Sequence, residues 1–143
     1  LIVSHGMNTA LCNAAKSGVD VRIITPHIPD KKSVFEVTRA HYPPLLEAGV
    51  RIYEYTPGFI HAKNMVSDDL YATVGTINLD YRSFFLHFED GVWQCGTPSV
   101  QAVKEDFLET LKVCQEVTGE EDRHLGILKQ LWRSILRAFA PLM

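Results

Sequence analysis

The chain has few cysteines, no long apolar run and little net charge, and each shortage removes a class of protein. Its three cysteines, Cys12, Cys95 and Cys114, are odd in number and widely spaced. That excludes a disulfide framework and fits a reducing compartment, where each thiol serves as a small hydrophobe. No two of them stand at metal-ligand spacing, and the six histidines are scattered, so no metal is expected. No apolar run reaches the roughly 18–20 residues of a membrane span, and no secretory leader is visible. A formal net charge of -3 gives no global reason to expect nucleic acid as a partner. There is no internal repeat and no low-complexity tract. The first residue is Leu1, which reads as an amino terminus cut from a longer parent.

What is present is one domain's worth of sequence, 143 residues with 46% hydrophobic content, enough for a real core. "MNTALCNAAKSG" is Ala-rich and stops at Gly18, predicting a helix, and "VDVRIIT" predicts a strand. "SVFEVTRAHYPPLLEAG" is helical, with Ser33 and Glu36 spaced as a capping box and a break expected at Pro43-Pro44. "VRIYEY", "FIHAKNMVS" and "LYATVGTINL" follow as three closely spaced strands, at least two of them antiparallel neighbours. "DYRSFF" reads as a loop or short turn and "LHFEDGVWQC" as a further strand. "TPSVQAVKEDFLETLKVCQEVTG" predicts a long helix starting at Pro98, its apolar stripe running from Val103 through Cys114 and Val117. This order is an α/β layout, a mixed β-sheet flanked by helices. Residues 1–122 form one domain on this reading, and 123–143 a basic amphipathic C-terminal helix. That tail carries Arg123, Lys129, Arg133 and Arg137 with no acidic residue, and suits either docking on the domain or an anionic membrane interface.

The chemistry concentrates in "GFIHAKNMVSDDLYATVGTINLDYRS". His61, Lys63 and Asp68 spell H-x-K followed by four residues and D. Gly75, Thr76, Asn78, Asp80, Arg82, Ser83 and Glu89 follow as G-T-x-N-x-D-x-R-S and then E. An imidazole can act as nucleophile or acid near neutral pH. Lys and Asn side chains can hold non-bridging phosphate oxygens as charge builds on them, and a carboxylate on the other ring nitrogen fixes the tautomer. His61 and Lys63 would share one strand face, with Asn78 near the end of the next strand and Glu89 one strand further.

This combination resembles the phospholipase D superfamily and, more narrowly, the C-terminal catalytic half of a bacterial cardiolipin synthase. "SGVDVRIITPHIPDK", "LLEAGVRIYEYTPGFIHAK", "VGTINLDYRSFFLHFE" and "FAPLM" carry the resemblance, from about residue 8 to the end. It implies a phospholipase D-like half whose motif faces a second one across a pseudo-two-fold site. It also implies conversion of two phosphatidylglycerol molecules into cardiolipin and glycerol through a phosphohistidine, with no cofactor and no metal. By position, it makes His61 and Lys63 the catalytic pair, Asn78 and Thr76 contacts to the phosphate side, and Glu89 the acid orienting His61. Asp68 closes the motif in a more structural role, and His61 is the general acid/base rather than the covalent nucleophile. Implied partners are anionic phospholipid, a membrane surface on the cytoplasmic side of the parent's cell membrane, and an N-terminal half or a homodimer partner. "LIVSHG" departs from the strand and turn expected before the first helix, so residues 1–7 read as truncated or non-native.

Other candidates carry blander readings. Arg82 suits an ion pair with Asp80 or a neighbouring loop at least as well as a phosphate contact. His27 and His41 either line the pocket or face water, His87 stands near Glu89, His5 lies in the unusual start, and His124 is expected to be exposed. Two other functions compete with phosphatidyl transfer. One is a homodimeric phosphodiesterase or nuclease of the same superfamily, which the acidic composition disfavours; the other is an inactive fragment or binding module.

Overall fold

The computed structural model describes residues 1–29 and 32–119. The predicted amphipathic tail, with His124 and the four basic residues, lies outside the described residues. So do both sides of the predicted boundary at 122/123, since the described residues end at 119.

Ser4 accepts a hydrogen bond from the Met7 amide and caps α1 (His5–Lys16), satisfying one of the free donors of the first turn. Gly18, at φ 93°, ends it as the Ala-rich pattern predicts. The chain then enters β1 (Arg22–Pro26), where Ile23 and Thr25 point inward. Next come α2 (Lys32–Ala40) and α3 (Tyr42–Glu47), divided at the predicted proline break. Since α2 begins at Lys32, Ser33 lies inside the helix and not at its cap. Strand β2 (Arg51–Tyr55) runs parallel to β1, with Ile23 opposite Ile52. The main core gathers here, where Ile23, Tyr42, Leu45, Val50 and Ile52 are buried together under Leu11 and Ala15 of α1.

A second, antiparallel sheet follows: β3 (Asn64–Ser67), β4 (Tyr71–Gly75) and β5 (Gly91–Cys95), with β4 in the middle. The β3–β4 connection is residues 68–70, with Asp68 and Asp69 both at positive φ (53° and 58°) and the Leu70 amide donating to the Ser67 carbonyl at 3.1 Å, a tight turn between strands that pair from Ser67 and Tyr71. The short helix α4 (Tyr81–Phe85) separates β4 from β5 and is capped by Asp80, whose carboxylate accepts from the Ser83 amide at 2.8 Å. Helix α5 (Pro98–Leu111) begins at Pro98 as predicted and touches both sheets. The architecture is therefore α/β, with the strands divided between two three-stranded sheets. Consequently β2 is not a sheet neighbour of β3.

Two element predictions are corrected. The long helix ends at Leu111, and Cys114–Glu116 form β6, antiparallel to β2. The backbone groups on the free edge of β2 need partners, and β6 supplies them. Arg51 reinforces the pairing through Nε and Nη2 to the Glu116 carboxylate, at 2.9 and 3.1 Å. Helical periodicity carries no information about that demand. The strands around the motif are also shorter than predicted: His61, Ala62 and Lys63 precede β3, Asn78 follows β4, and Glu89 precedes β5. The opening residues pack into the domain, with Ile2 and Val3 buried and the Ile2 amide bonded to the Leu79 carbonyl at 3.1 Å.

Candidate active site

The antiparallel register decides what meets what. Val74 on β4 stands opposite Asn64 on β3 and Val92 on β5, and Gly75 stands opposite Gly91. The Gly75 amide reaches back to the Lys63 carbonyl at 3.1 Å, and the Thr76 amide to the Asp90 carbonyl at 2.8 Å. One end of the sheet thus collects Lys63, Thr76 and Glu89, with His61 two residues ahead of Lys63 and Asn78 two beyond Thr76. Gly75 is required there by space, because a Cβ would meet the Asp90 carbonyl oxygen at 2.2 Å and the Gly91 Cα at 2.6 Å. An open cleft of about 250 Å³ lies over this end, lined by Val74, Gly75, Thr76, Asp90, Gly91 and Val92.

Glu89 is the hub. The Thr76 hydroxyl donates to its Oε2 at 2.5 Å, and its Oε1 lies 3.8 Å from Nδ1 of His87. These contacts hold its carboxyl below the ordinary range, the Thr76 hydrogen bond first, then the Ser83 hydroxyl, with help from His87 and Lys63. The Ser83 oxygen also accepts from the Asn78 amide at 3.2 Å, so a buried hydroxyl of α4 ties down the Asn78 backbone. Partial burial lowers the Lys63 ammonium from its ordinary value, against the pull of Glu89 and Asp80 in the other direction. Its Nζ donates to the His61 carbonyl at 2.7 Å.

His61 is exposed, its ring stacked on Phe59 with centroids 5.6 Å apart. The expected Glu89–His61 hydrogen bond is not formed: Glu89 faces Thr76, Ser83 and His87 instead. Asp68 is not in the cluster. It sits at the hairpin turn, five residues beyond Lys63, on the order of 16 Å away along an extended strand. Its left-handed backbone explains the choice of Asp, which tolerates that conformation better than most residues. Arg82 makes no ion pair with Asp80 among the described residues, because the Asp80 carboxylate is occupied in capping α4. Among the described residues no group of three or more His, Cys, Asp or Glu is arranged to hold a metal ion.

Ser83 belongs with these residues although the resemblance assigns it no role. The signal available was its spacing, three residues after Asp80, the pattern of a capped helical turn that would bury the hydroxyl beside the site.

A helix-flanked pair of small sheets, with His, Lys, Thr and Glu gathered at one sheet end, is a phospholipase D-like arrangement. It aligns with the crystal structure of Nuc, a phospholipase D family member from Salmonella typhimurium, at a TM-score of 0.70 and 18% identity, over 80% of this chain and 75% of that one. That likeness concerns the fold alone. Residues 3–111 match the family described as cardiolipin synthase, PLD-like domain, and the chain belongs to that family. A Streptococcus mutans protein is 47% identical over 143 residues, covering 100% of this chain and 31% of its own length. Cardiolipin synthases of a Geobacillus species and of Halalkalibacterium halodurans are 44% and 42% identical over 135 residues, 94% of this chain and 27% of theirs. The chain therefore spans about a third or less of the relatives it matches. No helix among the described residues is long and apolar enough to cross a membrane.

Proposed function

We propose that this chain supplies one half of a phosphatidyl-transfer site that joins two phosphatidylglycerol molecules into cardiolipin and releases glycerol. One histidine attacks the phosphorus of the first lipid, forming a phosphorus–nitrogen bond as the phosphorus–oxygen bond to glycerol breaks. The other histidine gives the departing glycerol oxygen its proton. It then takes a proton from the hydroxyl of the second lipid, whose oxygen displaces the first imidazole. His61 fills the second, acid/base role, and Lys63 and Asn78 hold the phosphate, joined by Thr76 when its hydroxyl turns from Glu89 to the substrate. Glu89 holds this end of the sheet in place and orients His61 once the partner half closes the site.

The observation that carries the reading is the meeting of Lys63, Thr76 and Glu89 at paired strand ends, with the Asn78 amide tied to Ser83 and an exposed imidazole two residues ahead of Lys63. The surroundings support the word half. Phe85, Leu86, Phe88, Val92 and Trp93, all near Glu89 in sequence, are 60–108% exposed. So much apolar surface beside a charged site is the kind that a partner half, or a second copy, covers. The membrane surface and the cytoplasmic side of the parent's cell membrane belong to the same proposal.

The test is cardiolipin formation from phosphatidylglycerol vesicles by the chain assembled with its partner half. His61→Ala should lower the rate by about 100-fold or more, the usual range for losing a general acid/base. A variant retaining full rate would remove His61 from the mechanism. DNA cleavage measured on the same preparation separates transfer from a nuclease function.

A further inference from the structure

Glu54 is a buried carboxylate near the C-terminal end of β2, its side chain only 4% exposed. Such a group is tolerated only when paired and hydrogen-bonded. Arg39 of α2 grips it with two prongs, Nε to Oε1 at 3.0 Å and Nη2 to Oε2 at 2.7 Å. The Tyr42 hydroxyl of α3 donates to Oε1 at 3.3 Å, and Thr25 of β1 lies 2.8 Å from that same hydroxyl. The last contact is His27, whose Nδ1 is 2.7 Å from Oε2.

Burial alone would push the Glu54 carboxyl up; the hydrogen bonds from Arg39 and His27 outweigh it and hold the carboxyl below its ordinary value. Glu54 is therefore ionised near neutral pH, and His27 donates from Nδ1. That leaves Nε2 as the free nitrogen of a ring whose side chain is 43% exposed. Arg39 already neutralises Glu54, so the imidazole contact adds orientation: it fixes an exposed ring in one tautomer.

The position is informative. His27 follows β1 directly, and its amide donates to the Tyr55 carbonyl at 3.1 Å. The ring thus sits at the C-terminal end of two parallel strands, the edge where open α/β sheets take ligands. The chain runs from Tyr55 to His61 in six residues, so at most ~22 Å separates those two positions.

We infer that His27 is a substrate-contacting residue whose Nε2 takes a phosphate oxygen of a phosphoglycerol headgroup, with Glu54 as its positioning carboxylate and Arg39 and Tyr42 fixing Glu54. The substrate class rests on the phosphatidyl-transfer reading above. In its doubly protonated form the ring donates Nδ1–H to Glu54 and Nε2–H to the phosphate, both charge-assisted.

Nitrogen-resolved spectra of the imidazole rings in this chain test it, with sn-glycerol 3-phosphate, inorganic phosphate and glycerol as probes. The His27 nitrogens should shift saturably with sn-glycerol 3-phosphate, at a Kd on the order of 1–10 mM. They should respond at least ~3-fold more weakly to inorganic phosphate, a difference of under 1 kcal/mol, and not at all to glycerol. His27→Gln should abolish the accompanying shift of the Tyr55 amide. Glu54→Gln, with the distant backbone spectrum unchanged, should weaken binding because the ring loses its anchor. No saturable shift at His27, an equal response to inorganic phosphate, or a response surviving His27→Gln would overturn the inference. The readout needs no turnover. A responsive His27 in a chain that never forms cardiolipin keeps the subsite and removes the reaction, whereas active transfer with a silent His27 does the reverse.

Discussion

At the scale of single residues, the same letters of a motif serve different physical purposes. Lys63, Thr76 and Glu89 meet at one sheet end, whereas Asp68 turns the chain at the other, at φ 53°. Asp68→Asn, which also tolerates a left-handed backbone, should leave cardiolipin formation within about 2-fold of the parent. Asp68→Val should cost on the order of 1–2 kcal/mol in urea denaturation, because a β-branched residue is strained there. A loss of activity in the Asn variant without a loss of stability would put Asp68 back among the reacting groups. The spacing H-x-K-x4-D was legible in the sequence, but spacing alone cannot say that four strand residues carry the Asp away from the Lys. Nor could it show Glu89 facing Thr76 and His87 and not His61, since that choice depends on how the segment before β5 bends. The His27–Glu54–Arg39 cluster was illegible for a related reason. Its members lie 12 to 27 positions apart and meet only because β1 and β2 pair in parallel register.

At the scale of elements, local signals were read correctly where the determinant is local. The Ala-rich α1, the break at Pro43-Pro44 and the start of α5 at Pro98 all follow from side-chain or proline chemistry confined to a few residues. Residues 114–116 carry helical periodicity yet form β6, because the cause of the strand is distant: the unpaired edge of β2. The division of the strands into two sheets was likewise unreadable, since alternation of apolar residues does not name a strand's neighbour. Gly75 is the clearest case of a letter explained by an element. It lets β4 and β5 approach until the Asp90 carbonyl occupies the space of a Cβ. Gly75→Ala should therefore force these strands apart and destabilise the chain by about 1–3 kcal/mol, measured by denaturant midpoint. An unchanged midpoint would show that the pairing is looser than this packing requires.

At the scale of the whole molecule, the α/β phospholipase D-like character was legible because a spaced motif and its flanking strands carry it together. What the surface does was not legible, because exposure is a property of the folded chain. Exposed apolar side chains on both sides of Glu89 in sequence, and an imidazole without its carboxylate, are what the proposed half-site reading requires. The most direct measurement is cardiolipin formation from phosphatidylglycerol by this chain alone, by the preceding portion of a full-length relative alone, and by the two mixed. The account predicts product in the mixture, falling at least ~100-fold when His61 becomes Ala. A mixture that forms a stable complex yet makes no cardiolipin, or that makes it equally well with His61→Ala, would contradict it.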